Sequence, residues 1–275
     1  MQNSAELKVG NSVETVLGYC VVNCELADCV DSIFKELHDA EHPKWLACIN
    51  PHSYVVALDD EDFSRALHEA DWLIPDGSGI VLASRLLGGN IRQRITGSDI
   101  FTALNSRANE VGGFRVFFLG STPDCLEEIR VRMGRDYPKI WFAGSYSPPF
   151  RQDYTEEELE AMVAAINQAR PDILWVGMTA PKQEKWIFQN LHRLDVRFAA
   201  AIGAVFDFYI ERVNRSHPFF QRLGLEWLPR LIQEPRRLWR RMFVSAPIFV
   251  WHVLRQRFFM AKGKAKEDAT FFNVI

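Results

Sequence analysis

Cysteine is scarce in this chain, and the few cysteines show no paired spacing. Five cysteines occur in 275 residues, and none forms a C-x-x-C pair. The sequence therefore predicts neither a disulfide framework nor a zinc site, and a reducing cytosol fits it best. The histidines are scattered without metal-ligand spacing, so we expect no metal centre.

Long apolar runs are also missing. The longest one late in the chain, residues 242–254, has 13 residues between arginines, whereas a helix needs about 20 to span a bilayer. The polar segment 1–14 contains no basic stretch followed by an apolar one, so we expect no signal peptide. The late apolar run can still lie on a membrane surface.

Several catalytic motifs are absent as well. The chain has no G-x-x-x-x-G-K-[ST] and no G-x-S-x-G, which disfavours a P-loop NTPase and an α/β-hydrolase. Gly77 and Gly79 begin a dinucleotide fingerprint, but Leu82 stands where its third glycine would be. Four acidic residues at 59–62 lie at a predicted helix start, where the helix dipole accounts for them better than a metal does.

Opposite charges are concentrated in different parts of the chain. The formal net charge of -3 gives no general attraction to nucleic acid, so no nucleic-acid partner is expected. Acidic residues gather before residue 160, and basic residues gather after residue 212. We expect an α/β domain over residues 1–211 and a basic, aromatic, helical appendage over residues 212–275. Four prolines should divide the appendage into short helices: Pro218, Pro229, Pro235 and Pro247.

Short apolar runs alternate with helical patterns before the appendage. This alternation predicts an α/β fold with a Rossmann-like parallel sheet covered by helices. The expected strands are residues 16–22, 45–49, 72–74, 114–119, 140–143, 173–177 and 197–202. The expected helices are residues 25–40, 51–58, 62–70, 99–111, 123–135, 155–170 and 181–194, with another starting at residue 78 or 79.

Asp76 occupies the turn between an apolar strand and a helix. The carboxyl end of a strand, beside a helix N-terminus, is where open α/β sheets place ligands and chemistry. The simpler alternative is that Asp76 only caps the helix. The apolar face of that helix is expected at Ile80, Leu82, Ala83, Leu86 and Leu87.

Polar loops follow several of the predicted strands and should face the same edge of the sheet. Such an edge is expected to form a crevice. Its helix N-termini, its glycine amides and the Arg94 guanidinium would suit a nucleotide diphosphate. Tyr146 either stacks on a base or only stiffens its loop. Lys182 is either a ligand or a solvated charge, and Asp207, between two phenylalanines, needs a partner.

Eight motifs, read in order, carry a resemblance to a known family. They lie at residues 50–51, 70–77, 94–99, 144–150, 180–186, 203–208, 224–228 and 233–237. Together they resemble the WecG/TagA/CpsF family of bacterial glycosyltransferases, over about residues 16–241. The resemblance implies inverting, metal-independent transfer of a sugar from a UDP donor to an undecaprenyl-diphosphate-linked acceptor, with no cofactor. The donor would be UDP-N-acetylmannosamine or a uronic acid relative.

The resemblance also implies roles for individual residues. Asp76 matches the proposed base, Asn50 and Arg94 match polar active-site residues, and Gln183 matches a residue near the nucleotide. Cys48 stands where the family often has threonine, and a thiol is a poorer hydrogen-bond donor. The full set of expected substrate-binding residues is Cys48, Thr96, Asp99, Tyr146, Lys182, Gln183, Asp207, Arg230 and Arg237.

The basic and aromatic tail fits a peripheral location on the inner face of the plasma membrane. Arginines and lysines flank the apolar run 242–254, as expected for a helix on an anionic bilayer. The alternative is that this helix docks on its own domain or on another subunit, so a homo-oligomer stays open. Two other function classes also stay open: a non-catalytic nucleotide-sugar-binding scaffold of a polysaccharide assembly complex, and an NAD-dependent oxidoreductase.

Overall fold

The computed structural model describes residues 12–39, 41–151, 153–212 and 239–272, with side chains of the last helix described as far as residue 260. Within these ranges the core is a six-stranded sheet whose strands all pair in parallel. It contains β3 (Lys44–Ile49), β4 (Trp72–Pro75), β5 (Arg115–Gly120), β6 (Trp141–Tyr146), β7 (Ile173–Gly177) and β8 (Phe198–Ala201), in the order β4-β3-β8-β7-β5-β6. The expected α/β class with a parallel, helix-covered sheet is confirmed.

Helices cover both faces of this sheet. They are α1 (Leu26–Asp39), α2 (Pro51–Asp59), α3 (Glu61–Glu69), α4 (Ser78–Leu87), α5 (Gly97–Val111), α6 (Pro123–Asp136), α7 (Glu156–Ala169), α8 (Lys182–Asn190), α9 (Val205–Tyr209) and α10 (Ala246–Phe272). Strand β7 shows how the two cores divide: Leu174 and Val176 face one apolar cluster, and Ile173 and Trp175 face the other. Because both faces are covered, the central strands are apolar throughout.

The first predicted strand is wrong in its extent. Residues 16–22 do not form one strand, because Leu17 and Gly18 adopt positive φ angles of 51° and 91°. They turn the chain between β1 (Val13–Val16) and β2 (Tyr19–Val22), which pair antiparallel in a separate two-stranded sheet. Two consecutive residues with positive φ are typical of the two-residue hairpin turn.

The end of β6 also differs from the prediction. The strand was expected to end at residue 143, but it continues to Tyr146, which pairs with Leu119 of β5. A register shift between Val116 and Phe117 accommodates the longer pairing. Tyr146 therefore belongs to the end of a strand rather than to a loop.

The appendage is not divided at Pro247. A π-type turn over Arg241–Ser245 leads directly into α10, and Pro247 is the second residue of that helix. A proline lacks an N–H and crowds the carbonyl of the preceding turn, and a widened π turn relieves that crowding. Pro218, Pro229 and Pro235 lie outside the described residues.

Helix α10 packs on the α/β body through one side. Phe249 and Val253 are buried in the same apolar cluster as α2 and α8, and the rings of Phe249 and Tyr54 meet edge to face at 5.5 Å. No helix within the described residues is long and apolar enough to cross a membrane.

The expected apolar face of α4 is partly wrong. Ile80 and Ala83 are buried as predicted, but Leu82 and Leu86 are 55% and 46% exposed. Ser84 is fully buried instead, because its Oγ accepts a hydrogen bond from the Ile91 N–H at 3.1 Å. This hydrogen bond holds Ser84 on the buried side of α4, and Leu82 and Leu86 lie on its exposed side.

Candidate functional site

The ends of β3 and β4 bring Asp76 and Asn50 together. Ile49 and Pro75 are register partners in these neighbouring strands, and the backbone N–H of Asp76 donates to the Ile49 carbonyl at 2.9 Å. The side chain of Asn50 in turn hydrogen-bonds to the Asp76 carboxylate. Helix α4 is capped by Gly77 without any side-chain hydrogen bond. Asp76 is therefore not the helix cap, and that alternative is wrong.

Asn50 is fixed in place by its second role as the N-cap of α2. Its Oδ1 accepts hydrogen bonds from the backbone N–H groups of His52 and Ser53, both at 3.0 Å. The hydroxyl of Ser53 accepts the Asn50 N–H at 2.7 Å and completes a capping box. Because the amide oxygen is occupied in this way, the amide NH₂ is left to donate to Asp76.

The two loops are also packed tightly against each other. A Cβ atom added to Gly79 would lie 2.3 Å from Cγ of Pro51, so only glycine fits at this contact between α4 and α2. Proline at the first position of α2 thus requires glycine at position 79, in the first turn of α4.

The Asp76 carboxyl has the electrostatic properties of a base near neutral pH. Burial raises its pKa to about 6, while Arg94, the Asn50 hydrogen bond and Arg241 counteract part of that rise and Asp99 adds to it. The carboxylate is ionised at neutral pH and still basic enough to accept a proton, which is the balance that general base catalysis requires.

The Arg94 loop is attached directly to the Asp76 strand. The backbone N–H of Ile95 donates to the Pro75 carbonyl at 3.1 Å, which places Arg94 where its charge acts on Asp76. Thr96 and Asp99 follow as a capping box for α5: Asp99 Oδ2 accepts from the Thr96 N–H at 2.9 Å and from its hydroxyl at 2.7 Å. Thr96 and Asp99 thus hydrogen-bond to each other at the edge of the site.

Cys48 lies in the middle of this cluster. Its Sγ donates to the Ala201 carbonyl at 3.7 Å, across the β3–β8 pairing. Burial and the nearby carboxylates of Asp76 and Glu184 raise its pKa well above the ordinary value. The side chain is therefore a neutral thiol and a weak donor in the position where the resembled family often has a hydroxyl.

Gln183 connects the ends of two further strands. It is buried, and its Oε1 accepts from the Met178 N–H after β7 and from the Gly203 N–H after β8, at 3.2 and 2.9 Å. Its Nε2 donates to Oε1 of Glu184 at 2.9 Å. Sequence reasoning missed Glu184, because an acid in a first helical turn is ordinarily a solvated charge.

The other predicted side chains are spread along the same edge. Lys182 donates to the Arg151 carbonyl, and its ammonium lies 3.7 Å from the centre of the Tyr154 ring, so it is held by its own loop. Asp207 lies in the first turn of α9, and it adds to the rise in the pKa of the Cys125 thiol that burial causes. Arg230 and Arg237 lie outside the described residues.

The start of the C-terminal helix contacts α2 close to Asp76. Nδ1 of His52 and the buried hydroxyl of Ser245 are hydrogen-bonded at 2.8 Å, and the Tyr54 hydroxyl meets Nδ1 of His252 at 3.1 Å. Burial lowers the pKa of His52 to about 4, and the guanidinium groups of Arg241 and Arg240 contribute. Arg241 therefore acts electrostatically on both His52 and Asp76.

The outer side of α10 and the turn before it is apolar, aromatic and exposed. The guanidinium of Arg255 lies over the rings of Trp251 and Phe259, at 5.2 and 5.8 Å from their centres. We call the exposed apolar residues of this segment the outer face. They are Trp239, Phe243, Val244, Val250, Trp251, Leu254, Phe258, Phe259 and Met260.

No group of three His, Cys, Asp or Glu side chains that could hold a metal ion occurs within the part of the chain that the structure describes. Of the acidic run at 59–62, Asp60, Glu61 and Asp62 have the predicted helix-start role, whereas Asp59 is the last residue of α2. Asp60 caps α3 by accepting the Phe63 N–H at 2.9 Å and also pairs with Lys185 at 3.0 Å.

Comparison with known proteins gives a consistent set of relatives. A family model described as Glycosyl transferase WecG/TagA/CpsF family matches residues 14–263. Two relatives carry the name N-acetylglucosaminyldiphosphoundecaprenol N-acetyl-beta-D-mannosaminyltransferase. The one from Bacillus spizizenii is 34% identical over 90% of this chain and 95% of its own length. The one from Bacillus subtilis is 32% identical over 88% of this chain and 91% of its own length. A protein of the same name from Staphylococcus aureus is 26% identical over 80% of this chain and 83% of its own length.

Proposed function

Because this chain belongs to the WecG/TagA/CpsF family of glycosyl transferases, we propose that it moves a sugar from a UDP donor to an undecaprenyl-diphosphate-linked acceptor, with inversion and without a metal ion. The observation that carries the mechanism is the Asp76 carboxyl, held at the end of β4 by Asn50, with its pKa raised by burial to about 6. The relatives' printed names support the acceptor class.

In the proposed reaction Asp76 acts as the general base. An acceptor sugar hydroxyl attacks the anomeric carbon of the donor as its proton passes to the Asp76 carboxylate. The bond between that carbon and the diphosphate oxygen breaks, and UDP leaves with the electron pair from the opposite face. One displacement of this kind inverts the anomeric centre, and a positioned base contributes about 10²- to 10⁴-fold.

Positive charge would stabilise the departing diphosphate. Arg94 and Arg241 both act electrostatically on Asp76. Two guanidinium groups beside the crevice can neutralise the negative charge that grows on the leaving group, and backbone N–H groups at helix N-termini add to this. Arginines would then do what a divalent ion does in metal-dependent transferases.

The donor sugar belongs to the N-acetylmannosamine or uronic acid class. The relatives' names support N-acetylmannosamine as the transferred sugar and an N-acetylglucosamine diphospholipid as the acceptor. An activity of this kind would contribute to the synthesis of a cell-surface or exported polysaccharide.

A lipid-linked acceptor requires the enzyme to work at a membrane surface. The outer face presents large apolar and aromatic side chains beside cations, the composition of helices that lie in the bilayer interface. Each cation near an anionic surface adds about 1 kcal/mol to binding. We therefore propose a peripheral location on the inner leaflet of the plasma membrane, with α10 in contact with lipid.

A donor panel tests this function. The purified full chain is incubated with an N-acetylglucosamine diphospholipid and several UDP-sugars, with and without EDTA, and both UDP release and the glycolipid product are measured. We expect transfer from one donor class, inversion at the anomeric carbon and equal rates with the chelator. Activity that is abolished by EDTA and restored by a divalent ion would contradict the mechanism. Donor binding without any product would favour the scaffold function.

A further inference from the structure

Glu184 is a buried acid that the mechanism above does not use. Only 2% of its surface is exposed. Its Oε1 accepts the Gln183 amide at 2.9 Å, whereas its Oε2 has no hydrogen-bond partner within the described part of the chain. Most buried polar atoms are hydrogen-bonded, so a half-satisfied buried carboxyl calls for an explanation.

The first part of the explanation lies in the orientation of the Gln183 amide. Its oxygen accepts two backbone N–H groups, those of Met178 and Gly203. If the amide were flipped, its NH₂ group would face both of these donors and all three contacts would be lost. The ionised Glu184 carboxylate has only acceptor oxygens, so its Oε1 strengthens the preference for the orientation in which the Gln183 oxygen faces the two N–H groups.

The second part lies in what those two N–H groups belong to. Met178 directly follows Gly177, the last residue of β7, and Gly203 comes shortly after the end of β8, before α9 and Asp207. A Cβ at Gly203 would lie 3.6 Å from the Gln183 amide nitrogen, and Gly203 has a φ of 58°. The Gly203 loop thus lies beside the Gln183 side chain, in a backbone conformation that favours glycine.

The Glu184 carboxyl can gain or lose a proton near neutral pH. Burial raises its pKa to about 7, against the smaller opposing effects of the Gln183 hydrogen bond and of its own backbone. In its ionised form it adds, together with Asp76, to the rise in the pKa of Cys48 that burial causes, so Glu184 and Asp76 both lie near Cys48 at the end of β3. A buried side chain at this place can affect the site without touching the reacting atoms.

We propose that Glu184 is a positioning residue that acts through Gln183, fixing the amide that joins the ends of β7 and β8 and so shaping the donor side of the crevice. This inference rests on the proposed function, since a UDP-sugar is the ligand that the shaped crevice would bind. Loss of the contact should weaken donor binding more than it slows the chemical step.

A double-mutant cycle with a structural readout tests the proposal. Glu184→Met and Gln183→Met are made singly and together, and Glu184→Gln is the conservative variant that keeps an acceptor for the Gln183 amide. For each, donor KM and kcat are measured, and backbone amide exchange at Met178 and Gly203 is followed by NMR without substrate. Loss of the hydrogen bond between Gln183 and Glu184 is expected to raise the donor KM about 5- to 10-fold, with kcat within about 3-fold of wild type.

The expected pattern is specific to action through Gln183. Glu184→Met should speed exchange at both amides and raise KM, Glu184→Gln should restore both to near wild type, and Glu184→Met should add nothing in the Gln183→Met background. Additive penalties, or unchanged exchange in Glu184→Met, would overturn the proposal. Glu184→Leu is a second apolar variant. If neither apolar variant folds, the proposal also falls, because the fold itself would then require the acid.

The two readouts separate this proposal from the proposed function. If the wild-type chain showed no sugar transfer with any donor, the proposed function would fail. Amide exchange at Met178 and Gly203 would still report on the contact between Glu184 and Gln183. If transfer is present but the exchange rates do not respond to Glu184→Met, only the role of Glu184 fails.

Discussion

The side-chain amide of Asn50 donates to the Asp76 carboxylate while its oxygen caps helix α2. One residue thus fixes the start of a helix and holds the candidate base at the end of the neighbouring strand. The orientation of the amide is set by the helix, since both acceptor contacts of Oδ1 come from backbone N–H groups of the first turn.

Asp76→Asn should abolish the proposed chemistry while preserving the site. Asparagine keeps the size of the side chain but accepts no proton at neutral pH, so kcat should fall about 10²- to 10⁴-fold. UDP affinity, measured by calorimetry, should stay within about 3-fold, because that binding does not depend on the base. Asp62→Asn is the matched control, since half of the Asp62 side-chain surface is exposed and the carboxylate pairs with Arg65 one helical turn away. Turnover in Asp76→Asn equal to that of the control would remove Asp76 from the mechanism.

The pH dependence of kcat/KM should report the Asp76 carboxyl. Because burial raises its pKa to about 6, activity should rise with pH through about 6 as the carboxylate forms. The same shift has the opposite sign for stability. The neutral carboxyl is favoured in the folded state, so this contribution is complete below about pH 4 and is lost as pH rises through about 6. Rate profiles measure the effect on kcat/KM, and urea unfolding at matched pH values measures the effect on stability. A rise of kcat/KM centred near pH 4 would contradict the assignment of the titrating group to Asp76.

Asn50→Asp should separate the two roles of Asn50. Aspartate is as good an N-cap as asparagine, so α2 should keep its stability, whereas Asn50→Ala should lose about 1 kcal/mol. The new carboxylate replaces a donor with a like charge beside Asp76, which should raise the pKa of the base. The alkaline shift of the rate profile in Asn50→Asp, compared with Asn50→Ala, is the measurement. An unshifted profile would mean that the amide has no electrostatic effect on Asp76.

His52 should make the fold sensitive to acid where α10 meets α2. Burial and the nearby Arg241 and Arg240 lower its pKa to about 4. Its contribution to stability is therefore present above about pH 6.5 and is lost as pH falls through about 4. His52→Gln retains a group that can bond to Ser245 but does not titrate. Urea unfolding from pH 7 to pH 4 should show a smaller loss of stability in the variant; identical slopes would rule out His52 as the cause.

Polar substitution on the outer face should weaken membrane binding. Trp251→Ser combined with Phe258→Ser removes two exposed rings, so sedimentation with vesicles containing anionic lipid should decrease about 10-fold or more. Turnover of a short-chain, water-soluble acceptor should not change. Val131→Ser on α6 is the matched control, because it removes a similarly exposed apolar side chain far from α10 along the chain. Equal loss in the control, or none in the double variant, would contradict lipid contact by this face.

Several local features of the site could be read from the sequence because short-range rules govern them. Asn50 followed by Pro51 predicted a capped helix, which is α2. Residues 94–99 predicted the start of another helix, and Thr96 and Asp99 form a capping box at the start of α5. The strand, turn and helix around Asp76 were also predicted, since an apolar run followed by proline and glycine has few alternatives. The errors arose where contacts outside the local motif determine the structure. The hydrogen bond between Ser84 and Ile91 determines which side of α4 is buried. The π turn before α10 lets that helix continue past Pro247.

By itself, then, the sequence determined the parallel α/β class, the position of Asp76 at a strand end and the family resemblance, because apolar periodicity, caps and motifs are properties of neighbouring residues. The tertiary structure alone decided the strand order, in which β8 pairs with β3 although Lys44 and Phe198 are far apart in the chain. That order brings Cys48 to Ala201, and the docking of α10 brings Arg241 to the side of Asp76. Such contacts depend on which surfaces pack together in space, and no spacing along the chain encodes that choice.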